Sequence, residues 1–119
     1  MHNFKELKCW KKSRELVQTI YHSTQRFPKE EIFGLTLQIR RAAVSISSNI
    51  AEGCGRSTDK QLIQFLHIAL GSATELENQI ILAQDLKFLT FENGKNLLLK
   101  IDEVQKLLYG FKNSILKNI

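Results

Sequence analysis

Residues 58–87 read TDKQLIQFLHIALGSATELENQIILAQDLK, and within them Leu62, Leu66, Ala69, Ala73, Leu76, Ile80 and Ala83 alternate steps of four and three. A spacing that averages 3.5 residues keeps these side chains on one side of an α-helix and makes the seam of a helical bundle; a half-buried strand would alternate every second residue. Thr58, followed three residues later by Gln61, matches the capping box, in which each side chain answers the other residue's free backbone N–H. The helix therefore spans about 58–87. Ile63, Phe65, Leu70, Ile81 and Leu82 add apolar surface beyond the seam, more than one neighbouring helix would cover. That excess predicts burial between subunits.

The same logic extends in both directions. Downstream, Thr90 caps a helix over about 91–117, whose seam of Leu97, Ile101, Val104, Leu108, Phe111 and Ile115 again alternates four and three. Gly94 and Gly110 weaken it by about 1 kcal/mol each relative to alanine if they are interior. Upstream, Gly53-Cys54-Gly55-Arg56-Ser57 reads as a loop, with Gly53 and Gly55 as helix-stopping residues that tolerate left-handed backbone geometry. Before it, Ile32, Leu35, Ile39, Ala42, Ala43, Ile46 and Ile50 define a helix over about 30–52, opened by Glu30 and Glu31 at the positive end of its dipole. A first helix over about 5–26 carries Leu7, Trp10, Leu16, Val17, Ile20 and Tyr21, and Phe27-Pro28 ends it. Four helices of similar length with short connections predict an all-α, up-down-up-down antiparallel four-helix bundle occupying residues 1–119 as one domain.

Composition agrees with one folded domain: 119 residues, 43% hydrophobic, 24% charged, one proline. Met1 to Trp10 mixes lysines with polar residues and leads into no apolar signal core, and no run is long enough to span a membrane. Cys9 and Cys54 are too few for a disulfide framework, so reduced thiols and a cytoplasmic setting are expected. The formal charge of +5 is unevenly spread: residues 1–60 hold eleven Lys/Arg against six Asp/Glu, whereas residues 61–119 hold six of each. A lopsided positive charge attracts polyanions.

Catalytic constellations are not visible. A nucleophile needs a base within reach, and His2, His22 and His67 stand apart in the sequence. Glu75 and Glu77 are two apart and point in different directions on a helix; Glu-x-x-His, P-loop and dinucleotide patterns are missing. No enzyme activity, metal or cofactor is expected. Small residues Ala42, Ala43, Ser45 and Ser48, facing Gly71-Ser72-Ala73, read as a close helix crossing, with Asn49, Glu52 and Arg56 as a candidate polar site. The basic residues carry the functional reading: Lys5, Lys8, Lys11, Lys12 and Arg14 lie within ten residues, and Lys5, Lys8 and Lys12 recur at helical spacing.

Several motifs, taken in order, resemble one known family. Phe4 to Trp10, Phe27 to Leu35, Gln38 to Ile46, Ser48-Asn49-Ile50-Ala51-Glu52-Gly53 and Ala69 to Glu77 are together similar to the 23S rRNA intervening-sequence protein family, over nearly the whole chain. Many members carry proline where this chain has Ser47, and serine leaves a straighter second helix. The resemblance implies a four-helix bundle assembled as a homopentamer and not an enzyme. A related branch, the accessory variability determinants of diversity-generating retroelements, implies binding to nucleic acid and to a reverse transcriptase. The expectation is thus a non-catalytic homo-oligomeric adaptor that holds RNA or DNA through phosphates, with Lys8, Lys11, Lys12, Arg14, Arg40, Arg41 and Arg56 as contacts. The alternative is a protein-only scaffold in which Arg40 and Arg41 make salt bridges between subunits.

Overall fold

The computed structural model describes residues 2–119, and four α-helices account for most of them: α1 (Lys8–Thr24), α2 (Leu35–Cys54), α3 (Asp59–Asp85) and α4 (Phe91–Leu116). No strand occurs among the described residues. The helix boundaries follow local hydrogen-bond chemistry. Thr58 Oγ1 accepts from Gln61 N at 3.2 Å and Thr90 Oγ1 from Asn93 N at 3.1 Å, so both expected caps form. The return half of the capping box does not: the Gln61 side-chain oxygen accepts from the Ser57 hydroxyl at 3.4 Å.

Two helix starts differ from the sequence reading. Asn3 Oδ1 accepts from Lys5 N and sets up a separate single turn, Phe4–Glu6, before Leu7 extends and α1 begins. Glu30 and Glu31 also fall in a single turn, Lys29–Glu31, rather than in α2. Glu31 still serves α2, because its Oε1 accepts from Leu35 N at 3.1 Å and satisfies a free donor of the first turn. The loop reading of Gly53 is also overturned. α2 runs through it to Cys54, and no described glycine has a positive φ. Gly53 has a packing role: a Cβ there would lie 2.8 Å from Phe65 Cβ and 2.9 Å from Leu62 Cδ1, so the hydrogen lets α3 come close.

The left-handed position belongs to Lys87, with φ 62°. Lys87 N donates to Gln84 O and Phe88 N to Ala83 O, the paired bonds of a Schellman termination that stops α3. Nothing in the residue type announces this, since lysine carries a steric cost there that glycine avoids.

Packing is cyclic: α1 and α3 each contact α2 and α4, and neither diagonal pair meets. Short connections between neighbours in that ring give the up-down-up-down bundle, 45 × 24 × 20 Å. All seven seam residues of α3 are buried, and they meet Leu16, Ile20, Ile39, Ile46, Ile50, Leu97, Ile101 and Leu108. Each such Leu or Ile contributes about 1.5–3 kcal/mol by leaving water. α2 and α3 form the most extensive pair, and the Ser45 and Ser72 hydroxyls are 2.8 Å apart across it. Ser72 and Ala73 therefore line the crossing, but Gly71 does not: it is exposed, with open space where a Cβ would be.

The apolar excess on α3 resolves into two groups. Ile63 and Leu70 are buried inside the subunit, because α3 is flanked on two sides. Ile81 and Leu82 are each 42% exposed, joined on the outside by Ile68 and Leu86. Ile68, Leu82 and Leu86, spaced by 14 and 4 residues, fall on one outer stripe.

Candidate nucleic-acid interface

Helix phase decides where each cation points. Lys8 and Lys12 lie on the flank of α1 next to α4, while Lys11 and Arg14 lie on its outer face. Lys12 Nζ is 3.4 Å from Glu15 Oε2 and 3.7 Å from Glu103 Oε1, so its charge already joins α1 to α4. Arg56 Nη2 is 2.9 Å from Glu52 Oε1, and its guanidinium sits 4.7 Å from the Phe65 ring centre. These two cations are partly neutralised within the chain. Lys8, Lys11, Arg14, Arg40 and Arg41 have no acid within 4 Å among the described residues.

Arg40 and Arg41 are neighbours in sequence and line one groove on α2, but only Arg40 is held by its own chain. Arg40 Nε donates to Thr24 Oγ1 at 2.9 Å, and its guanidinium lies 4.6 Å from the Tyr21 ring centre, which fixes it across the groove between α1 and α2. Arg41, one position on and about 100° around the helix, is exposed. The connections place Lys8, Lys11, Lys12 and Arg56 toward one end of the bundle, where His2 reaches Asp59 at 3.7 Å and the Phe111 ring at 5.5 Å. Arg40 and Arg41 lie toward the other end. Arg14, stacked 5.5 Å from the Trp10 ring centre, stands between the two groups along α1.

The polar site expected from Asn49, Glu52 and Arg56 does not assemble into one cluster. Asn49 Nδ2 donates to Ser45 O at 2.8 Å and to Ser45 Oγ at 3.0 Å, whereas Glu52 is engaged with Arg56. Both contacts are local, four residues apart: the first lies within α2, and the second ties α2 to the turn that follows it.

The aromatic residues beside the cations were not singled out by the sequence reading. Phe33 is 87% exposed and Tyr21 42%. With Leu37, Arg40, Arg41 and Val44 they line a groove of about 740 Å³ on the outer face of α2. Phe33 lies outside the seven-residue seam and next to Gly34, which was the available signal. A second recess of about 320 Å³, lined by Thr24, Phe27, Pro28, Ile32, Thr36 and Arg40, adjoins it.

Of the groups that could do covalent chemistry, Cys9 and Cys54 are both buried and unbridged. Burial pushes the Cys9 thiol up to about 11, with the nearby Cys54 adding to the shift, and burial also raises Cys54. A thiol held protonated is a poor nucleophile and a poor metal ligand. No group of three or more His, Cys, Asp or Glu side chains is placed to hold a metal among the described residues. No helix there is long and apolar enough to cross a membrane.

Fold and surface together define an all-α bundle with an acid-free, cation-lined groove on one helical hairpin. The chain belongs to the 23S rRNA-intervening sequence protein family, whose sequence profile matches residues 5–110. It is similar to a crystal structure of a protein with unknown function from the S23 ribosomal protein family of Bacteroides thetaiotaomicron, at 27% identity and a TM-score of 0.78. The match covers 87% of this chain and 97% of that one. The comparison with curated proteins returns no match.

Proposed function

We propose that the protein is a non-catalytic, homo-oligomeric adaptor that holds nucleic acid through phosphate contacts on the outer surface of α1 and α2. The carrying observation is that Lys8, Lys11, Arg14, Arg40 and Arg41 lack an acid partner among the described residues, while the net charge of +5 resides in the first half of the chain. Unneutralised cations gain from a polyanion by releasing its condensed counterions. Lys12 and Arg56, already paired, contribute less than the other five. The exposed stripe of Ile68, Leu82 and Leu86 on α3 supports assembly with further copies, in keeping with the ring of five that the sequence resemblance implies.

The test is equilibrium binding of unrelated RNA and DNA at two salt concentrations. Affinity falling steeply between about 50 and 200 mM salt is expected for several phosphate contacts. No binding of either at the lower salt would refute the reading and leave the protein-only scaffold.

A further inference from the structure

The groove between α1 and α2 combines features that phosphate binding alone does not need. Its charged lining is wholly cationic, Arg40 and Arg41, and the rest is apolar apart from Ser45, with the Phe33 ring open to solvent and the Tyr21 ring lying against the Arg40 guanidinium. Phe33 has no structural reason to be outside: at 87% exposure it packs against little of its own chain. Arg40 borders both the larger groove and the adjoining recess, so a guanidinium stands between two cavities.

Alternating π-faces and guanidinium groups match the alternating bases and phosphates of an unpaired strand. In a duplex the base faces are stacked on one another and unavailable to Phe33. In a single strand each base offers a face for stacking and the phosphates remain free for arginine. We infer that this groove is a binding site for single-stranded nucleic acid, in which a base stacks on Phe33 and a flanking phosphate lies on Arg40 and Arg41. This inference rests on the proposed nucleic-acid role and narrows it to unpaired strands.

The experiment compares the full chain with Phe33→Ala and Phe33→Tyr, using fluorescence anisotropy on a labelled strand of about 20 nucleotides and on its blunt duplex. The wild type should favour the strand by about tenfold at equal salt, since stacking on one side chain is worth that much or more. Phe33→Ala should lose about that factor on the strand alone, with an unchanged salt slope, and Phe33→Tyr should recover it. Equal affinity for strand and duplex, unaffected by Phe33→Ala, overturns the groove while leaving phosphate binding intact. Absence of binding to both at low salt overturns the groove and the adaptor reading together. A change in the sedimentation of the free protein on Phe33→Ala would show the groove to be a contact between copies, which also overturns it.

Discussion

Replacing Gly53 and Gly110 by alanine, separately, should move stability in opposite directions. Both glycines lie in helices, so alanine offers each up to about 1 kcal/mol through helix propensity. At Gly110 nothing lies within 4 Å of the new Cβ, so that gain is realised. At Gly53 the new methyl would meet Phe65 Cβ at 2.8 Å and Leu62 Cδ1 at 2.9 Å. Phe65 Cβ is bonded directly to the α3 backbone and cannot swing aside, so α2 and α3 must separate locally along the most extensive interface of the bundle. Such overpacking costs about 1–3 kcal/mol, which offsets the propensity gain and leaves a net loss of up to about 2 kcal/mol. Urea denaturation at one fixed protomer concentration reads both changes, and keeping that concentration constant removes the contribution of assembly. A stabilised Gly53→Ala, or equal shifts of the two midpoints, would refute the claim that Gly53 exists for close approach.

Lys87→Gly should raise stability by about 0.5–1 kcal/mol in the same assay, by relieving the left-handed strain at the end of α3; a loss would mean that the lysine side chain holds the turn. Thr90→Ala should cost about 1 kcal/mol through the lost cap on Asn93 N, visible as a lower melting temperature. Cys9 makes stability depend on pH. Its folded thiol is raised from 9.0 to about 11, so it stays protonated where the unfolded thiol ionises. The Cys9 contribution is thus complete below pH 9 and is lost as pH rises through 11, by about 2.7 kcal/mol in total. Unfolding free energies from pH 8 to 10.5 should fall more steeply for wild type than for Cys9→Ala, and parallel curves would contradict the buried-thiol account.

The bundle was legible because a seam needs only the spacing of apolar residues, and burial of Leu62 through Ala83 follows that spacing directly. Features that depend on what lies opposite a residue were not. Gly53 reads as a helix stop until Phe65 is seen across from it. Ile63 and Leu70 read as surplus until α3 is found flanked by both α2 and α4. Lys87 carries the left-handed turn because the flanking bonds of the Schellman motif impose it, and no glycine marks the place. Among the cations, sequence located the charge but not its partners: Lys12 and Arg56 are tied to acids, and Arg40, unlike adjacent Arg41, is engaged by Thr24 and Tyr21. Tyr21 and Phe33 were overlooked as site residues because their meaning depends on the cations they sit beside.

The most direct test of the adaptor account is the salt slope of strand binding for two charge-neutralised proteins. One carries Lys11→Gln, Arg14→Gln and Arg41→Gln on α1 and α2; the other carries Lys95→Gln, Lys100→Gln and Lys117→Gln, on α4 and just past its C-terminus. Both lose three charges, so their net charges are equal. The account predicts that the first lowers affinity and reduces the slope of log K against log salt by about 2, at about 0.7 per phosphate contact, while the second retains nearly the full slope. Equal reductions in the two proteins would contradict it, because binding would then follow total charge rather than this surface.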